Sequence, residues 1–407
     1  MTQILIAGGG IGGLSAAIAL AREGHAVRVL ERAAVFSEVG AGIQLGPNVT
    51  RILHQWGLRT ALDAVVCSPS HLQVRCAMTG RVLARMALGR AFVAQYGAPY
   101  LTIHRADLHS ILAQNLRRFD SVSVCLGATV RALQASASDV RVLLEGDDEL
   151  HADVLIGADG GFSTVRRQLW GDGLPKPSGH LAYRALVEQH TLPTQLRSDD
   201  VTVWMGPKMH LVHYPVRQGE CLNLVAIVDG EVQGNMDDWD HSANAQDLRA
   251  ALRHTWGGLQ ELIGAISKWR LWPLSIRAPM RSADEHARGR VALLGDAAHP
   301  MVPYLAQGAA MAIEDAAELA RQLGGISHQT AASVALTDAL QGYAQQRWQR
   351  NARVQARALR NGRIFHVQGP LRWGRDWALR LLGQRLLELP WLYGGGPLPH
   401  PPHVHTG

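Results

Sequence analysis

The segment His210-Leu211-Val212-His213-Tyr214-Pro215 carries the richest chemistry in this 407-residue chain. On a strand, alternation puts His210, Val212 and Tyr214 on one face and His213 on the other. An imidazole and a phenol on a common face can pass a proton to and from a phenolic substrate, and imidazole titrates near neutral pH. The same pattern fits two sheet residues whose polar tips reach solvent. Tyr183 and Arg184, in an earlier apolar run, could hold a substrate carboxylate or a nicotinamide cofactor, because a guanidinium meets a carboxylate through a planar fork. A surface role fits both equally.

A second constellation opens the chain. Ile4 to Ala7 is a short apolar run, followed by Gly8-Gly9-Gly10-Ile11-Gly12-Gly13, a helical stretch from Leu14 to Arg22, and a second strand from Ala26 that ends in Glu31 and Arg32. Strand, glycine turn, helix, strand is the order of a dinucleotide-binding unit. Gly8 permits the tight turn, Gly10 clears room for a pyrophosphate, and Gly13 lets helix and sheet pack closely. Exposed N–H groups at the helix start then face the phosphates. Glu31 is placed to accept ribose hydroxyls and would repel a 2′-phosphate, so the tightly held nucleotide lacks one. The unit alone does not choose FAD over NAD.

Two more segments narrow that choice. Asp153 to Ala158 reads as a buried strand ending in Gly157-Ala158-Asp159-Gly160, and Val291 to Leu294 runs into Gly295-Asp296-Ala297-Ala298-His299-Pro300. Pro303 and then Gln307-Gly308-Ala309 lead into an alanine-rich helix, whose dipole favours negative charge at its start. Asp296 is expected to close a buried strand, where a carboxylate needs a polar partner such as a sugar-alcohol hydroxyl. A helix N-cap is its other reading. His299 reads as a packed or hydrogen-bonded residue.

With the opening fingerprint, these motifs resemble the class A flavoprotein aromatic hydroxylases, single-component FAD monooxygenases, over nearly the whole chain to about Tyr393. The resemblance implies that Asp159 lies in a DG motif serving FAD and NAD(P)H, and that Asp296 contacts the ribityl chain of FAD. It also implies that Arg105, in His104-Arg105-Ala106-Asp107-Leu108, reaches FAD, and that Gly42 and Ile43, in Ala41-Gly42-Ile43-Gln44, pass close to the flavin ring. Gln307 departs from the small residues usual in that loop. His210 and Tyr214 match the active-site pair of monohydroxybenzoate and hydroxynicotinate hydroxylases; Gln44, where the latter carry histidine, weighs against hydroxynicotinate.

The implied reaction uses NAD(P)H, with NADH favoured, and O₂. Hydride reduces tightly bound, non-covalent FAD, and a flavin C4a-hydroperoxide hydroxylates a phenolic aromatic acid of the salicylate or 3-hydroxybenzoate type. Hydroxylation of a larger natural-product or quinone-precursor ring, and a flavin-binding redox protein without hydroxylase activity, are the alternatives. With a single GxGxxG, no second Rossmann domain exists for NAD(P)H, which would bind transiently.

The elements that must position these residues follow an α/β plan: a Rossmann-like FAD-binding domain of the GR2 type with an inserted antiparallel β-sheet substrate domain and C-terminal helices. The expected blocks are 1–174 and 280–325 for FAD, 175–279 for the sheet, 326–393 for helices, and 394–407 for a flexible tail whose His400, His403 and His405 could bind adventitious metal. Leu336 to Arg360 is expected to be an amphipathic helix with a solvated basic face bearing Arg347, Arg350, Arg353, Arg357 and Arg360. A second helix is expected from Trp373 to Leu389.

Composition supports a large core: 47% of residues are hydrophobic and 18% charged. The net charge of +6 is almost wholly arginine-borne, since Lys176, Lys208 and Lys268 are the only lysines. Dispersed arginine suits anionic small molecules better than a nucleic-acid tract. The four cysteines match neither zinc nor redox spacing, no export signal or membrane span is read, and a reducing cytoplasm fits. No nucleic acid, membrane or resident metal is expected, and a monomer and a homodimer are both left open.

Overall fold

A computed structural model of the chain describes residues 1–36, 41–230, 241–243, 245–326 and 333–398. The three tail histidines, His400, His403 and His405, lie outside the described residues. Two compact units emerge: Met1–Glu38, Ala106–Lys176 and Ser275–Ala358 form the first, and Val39–Arg105, Pro177–Leu274 and Leu359–Gly407 form the second. These units cut across the expected blocks, because the second takes in residues 39–105 and the chain's end besides the inserted sheet. Among the described residues no helix is long and apolar enough to cross a membrane.

The first unit is built on a six-stranded sheet in the order Ala287–Arg288, Val291–Leu293, Val154–Gly157, Gln3–Ala7, Ala26–Glu31, Val122–Leu126. All neighbours pair in parallel except the Ala287–Arg288 edge. The Rossmann-like expectation therefore holds. Strands buried on both faces read as apolar runs, and Val154–Gly157 is buried throughout. Helix Ile11–Arg22 is buried from Gly13 to Ala21. It packs on helix Gly308–Leu323 through small residues: a Cβ on Gly12 would stand 3.3 Å from that of Ala312.

The long helix Ser333–Phe365 departs from expectation in its charge. Arg347 is 2% exposed; its Nε donates to Asp315 Oδ1 at 2.7 Å and its Nη1 to Glu314 Oε2 at 2.8 Å. Arg350 adds two bonds to the same glutamate, at 2.7 and 2.8 Å. The expected solvated basic face thus loses Arg347 to the interior, because two adjacent buried carboxylates on Gly308–Leu323 demand cations. Arg353 and Arg360 remain exposed. The final helix also ends sooner than expected: Gly383, at φ 47°, breaks it into Gly369–Leu382 and Gln384–Leu387.

The second unit holds an eight-stranded sheet, ordered His241–Ala243, Trp269–Ile276, Lys176–Glu188, Cys221–Asp229, Met209–Val216, Val201–Gly206, His71–Cys76, Val82–Ala87. Five of its strand pairs are antiparallel, as expected, and one, Val201–Gly206 with His71–Cys76, is parallel. One face carries an apolar core of Tyr183, Leu211, Leu222, Leu224 and Ala226, covered by Leu248, Leu259 and Ile263 from two short helices. Tyr183 therefore packs in the core and is not placed to meet a substrate, which corrects its expected pairing with Arg184. Alternation sends Arg184 to the opposite face, with His210, Tyr214 and Asn223.

Arg347→Ala should destabilise the protein by about 3–5 kcal/mol, since it strands two buried carboxylates, whereas Arg360→Ala at an exposed site should change stability by no more than about 0.5 kcal/mol. Thermal and urea unfolding of the two variants check this; equal effects would contradict the buried-network account.

Candidate active site

The first unit supplies a nucleotide cradle. Gly8 adopts φ 107°, donates its N–H to Leu30 O at 2.8 Å, and approaches so closely that a Cβ would stand 2.4 Å from Ala158 O. A Cβ on Gly13 would meet Gly8 O at 1.9 Å, so helix and turn could not dock. Nothing lies within 4 Å of a Cβ on Gly10, which caps helix Ile11–Arg22. That open space beside the unpaired N–H groups of a helix start suits a pyrophosphate.

Glu31 clamps the turn: Oε2 accepts Gly9 N–H at 2.7 Å and Oε1 accepts Ala33 N–H at 2.8 Å. Each oxygen retains a lone pair for a ribose hydroxyl. Arg32 beside it is exposed.

Asp159 turns inward upon its own loop. Its carboxylate accepts Ser163 Oγ at 2.5 Å, Thr164 N–H at 2.7 Å and Val165 N–H at 3.2 Å, which caps helix Thr164–Trp170. Burial raises its pKa while these hydrogen bonds oppose the shift. Its visible duty is to hold the turn in shape. Arg166, 3% exposed, ties that turn to the GD segment: it pairs with Asp172 at 2.6 Å and donates to the carbonyls of Ala297 and Ala298. The sequence signal for it was the Arg166-Arg167 pair after the DG motif, which alone does not say which arginine goes inside.

Asp296 differs from expectation. The strand before it is buried, but Gly295 at φ 60° turns the chain, and the Asp296 side chain is exposed. It does not cap the following helix either, since Gln307 occupies that position. Its Oδ1 lies 4.0 Å from where a Cβ of Gly308 would be, beside the start of helix Gly308–Leu323. Ala309 lies in that helix's first turn, Gln307 is 3% exposed, and Pro303 is half-buried. An exposed carboxylate at a helix start can meet a polyol chain, and with the glycine cradle the donor set of this unit fits FAD.

Beneath Asp296 lies the buried carboxylate that holds the turn. Asp315 Oδ2 accepts Gly295 N–H at 3.1 Å and contacts His299 Nε2 at 2.6 Å, while Oδ1 accepts Asn351 Nδ2 at 2.9 Å besides Arg347. Burial alone would raise its pKa, but His299 and Arg347 hold it well below the usual carboxylate range. His299 is thus hydrogen-bonded in the core, as expected.

The second unit carries a polar face on its sheet. Strand Gly42–Leu45 pairs with Leu101–His104, and Arg105 N–H donates to Ala41 O at 2.8 Å. Gly42 N–H donates to Asn223 Oδ1 at 2.7 Å, and a Cβ on Gly42 would stand 2.5 Å from Tyr214 Cε2 and 2.8 Å from Asn223 Cγ. Glycine is required there, and Ile43 follows with its side chain partly exposed.

Tyr100 Oη donates to Gln44 Oε1 at 2.6 Å, and the amide of Gln44 donates to Tyr214. This directed chain leaves the Tyr214 O–H proton to be given onward. Burial pushes both phenols up, so they are neutral donors.

Arg184 is the cation of this face. Its guanidinium lies 4.8 Å from the Trp272 ring centroid, its Nε is buried without a hydrogen-bond partner, and no ion pair reaches it among the described residues. Burial pulls its pKa down to about 10. Asn223 Nδ2 is likewise buried without a partner. A cation and an amide donor left unsatisfied call for an anionic, hydrogen-bonding ligand.

His210 is 1% exposed on the same face as Tyr214, yet no hydrogen bond joins the two, which stand four residues, about 13 Å, apart along their strand. His210 Nδ1 instead meets His366 Nε2 at 2.7 Å. Sequence reading missed His366 and Tyr100, and passed over Asn223; none carries a local motif.

The family model described as "FAD binding domain" matches residues 1–363. The chain is 34% identical over 395 residues to a 3-hydroxybenzoate 6-hydroxylase of Klebsiella oxytoca, covering 96% of each. It is 38% identical over 334 residues to a 6-hydroxynicotinate 3-monooxygenase of Pseudomonas fluorescens, covering 81% of this chain and 85% of that one. A solved salicylate hydroxylase substrate complex superposes with a TM-score of 0.80 at 24% identity, covering 97% of this chain and 95% of that chain.

Gly42→Ala should cut turnover by about tenfold or more while the protein still folds, because the added methyl displaces Tyr214 and Asn223 together and small misplacements at a site are costly. Steady-state rates alongside flavin content and melting temperature check this; normal turnover would show that the close approach is dispensable.

Proposed function

This chain belongs to the FAD binding domain family, and on that premise we propose that it is an FAD-dependent monooxygenase that hydroxylates a phenolic aromatic acid, with 3-hydroxybenzoate its favoured substrate, NADH its reductant and O₂ its oxidant. Bound FAD would supply the electrons that activate O₂ and the electrophilic oxygen delivered to the ring. The glycine cradle with Glu31 would hold its pyrophosphate and ribose, and Asp296 its sugar-alcohol chain. Arg105 and Asp159, with Gly42 and Ile43, complete the proposed cofactor set.

The single observation that carries the substrate class is Arg184, a largely buried cation without an anionic partner among the described residues. A substrate carboxylate would complete it as a charge-assisted pair, with Tyr214 O–H and Asn223 Nδ2 as further donors. His210 is the proposed base for the phenol. Burial, with His366 and His180 nearby, holds its pKa well below its ordinary range, so the ring is neutral before substrate binds. Deprotonation raises the electron density of the ring, which an electrophilic oxygen requires.

Sheet register favours a hydroxyl away from the carboxylate. Arg184 aligns with Val225 and, one strand further, with Val212, so it stands two strand spacings across and one same-face step along from both His210 and Tyr214, about 12 Å between backbones. Side chains reaching toward one another over that span leave room for a ring whose substituents are not adjacent. That supports 3-hydroxybenzoate over salicylate, and Gln44 supports a benzoate over hydroxynicotinate. The four unpaired cysteines accord with work in a reducing cytoplasm.

Arg184→Met should raise the KM for 3-hydroxybenzoate by about tenfold or more, the loss of a charge-assisted pair, while the KM for a phenol without a carboxylate should hardly change. Kinetics of both substrates with both proteins check this. An equal effect on the two would remove Arg184 from carboxylate binding.

A further inference from the structure

In the second unit, helix Gly369–Leu382 turns its charged pair inward and its indoles outward. Arg375 donates to Asp376 Oδ1 through Nε at 3.0 Å and Nη2 at 2.8 Å, and to Phe365 O through Nη1 at 2.7 Å, with both charged side chains largely buried. Leu379 packs with Val74, Leu83 and Met205 of the sheet. Trp373, Trp377 and Leu381 repeat every four residues, so they share one helix face. Both tryptophans are 63% exposed and Leu381 73%. Leu382 and Leu386 carry exposed apolar surface on into the next short helix, Gln384–Leu387. A buried aromatic ring hides about 150–250 Å² from water, so a contiguous face with two such rings left outside marks a contact site.

The charge around that face says what covers it. Arg380 stands on the same side as the tryptophans, and Arg385 follows the turn at Gly383; both are exposed, and neither has a hydrogen bond or ion pair among the described residues. The only acids in residues 359–398 are Asp376 and Glu388. Asp376 is taken by Arg375, and Glu388 Oε1 accepts Tyr96 Oη at 2.6 Å and Gln95 Nε2 at 2.9 Å. The face is thus apolar with an unanswered positive rim. A second copy meeting it across a two-fold axis would bring the same arginines and no acid, since an isologous contact joins identical patches. Anionic phospholipid supplies both an apolar layer and the missing negative charge.

We propose that helix Gly369–Leu382 docks the protein on an anionic membrane surface, with Trp373, Trp377 and Leu381 in the headgroup and acyl boundary and Arg380 and Arg385 against lipid phosphates. An indole suits that boundary, because its ring is apolar and its N–H polar. A guanidinium meets phosphate through its planar fork while its stem lies along apolar surface. With 14 residues the helix is about 21 Å long, shorter than a hydrocarbon core of about 30 Å, so it lies in the plane of the bilayer and does not cross it. The sequence suggested no membrane contact because it holds no spanning run, and a helix lying in the interface needs none. Apolar burial and charge act together, so the docking is reversible and weakens with salt. It is independent of which ring the site hydroxylates.

The test is flotation of the full-length, FAD-loaded protein with vesicles of phosphatidylglycerol and phosphatidylcholine in equal parts, and with vesicles of phosphatidylcholine alone, at low and high salt. The protein should float with the anionic vesicles, and high salt or neutral vesicles should each weaken binding by about tenfold or more. Arg380→Gln with Arg385→Gln, and separately Trp373→Ser with Trp377→Ser, should each cost about tenfold or more in vesicle affinity, with turnover and melting temperature unchanged. The substituted side chains are exposed, so both variants fold, and the arginine pair tests the charge apart from the apolar face. No flotation with anionic vesicles at low salt would overturn the proposal, as would flotation that neither pair of substitutions alters. A dimer in analytical ultracentrifugation that Trp373→Ser with Trp377→Ser dissolves, without vesicle binding by the unaltered protein, would also overturn it and assign the face to a second copy.

Discussion

A carboxylate taken fully out of water at Asp315 organises the cofactor unit. It must have all its hydrogen bonds at once, because each one missing would leave a buried charge uncompensated. Gly295, His299, Arg347 and Asn351 supply them from the GD turn, the loop after it and the long helix Ser333–Phe365. His286, which burial pulls down to about 3, stays neutral beside Asn351, whose amide stands 3.0 Å from its Nε2. The turn that presents Asp296 to solvent is therefore set by residues behind it. A carboxylate buried behind the turn thus decides where the exposed one stands.

The sheet unit works by an opposite logic on its chemical face. Its apolar face is closed by two short helices, while the other leaves Arg184 Nε and Asn223 Nδ2 buried without partners. The chain from Tyr100 through Gln44 to Tyr214 aims a further proton outward. Donors held in place before the ligand arrives need no rearrangement when charge develops, which is how a site favours an anion and its transition state. Gly42 makes this possible by letting two strands approach where any side chain would collide.

Local patterns were legible in the sequence. The glycine turn, the parallel strands around it and the two-residue period that puts His210 and Tyr214 on one face all depend on neighbours in the chain. What was hidden depends on partners far away. Arg347 looks like the other arginines of its helix until Glu314 and Asp315 face it. Tyr183 and Arg184 are adjacent, and only the register with Cys221–Asp229 shows that one is core and the other site. Asp296 was expected to close a buried strand, but the strand ends at Leu293 and a left-handed Gly295 turns the side chain out. His366, 156 residues from His210, could be found by no spacing rule.

The central claim is that the chain places an oxygen atom from O₂ on the ring of a phenolic acid. The most direct measurement is turnover of 3-hydroxybenzoate with NADH under ¹⁸O₂, followed by mass spectrometry of the aromatic product. The account predicts one ¹⁸O per product molecule, on a ring carbon, with substrate-dependent NADH consumption. An unlabelled or unchanged aromatic acid, with NADH consumed only to make hydrogen peroxide, would contradict it.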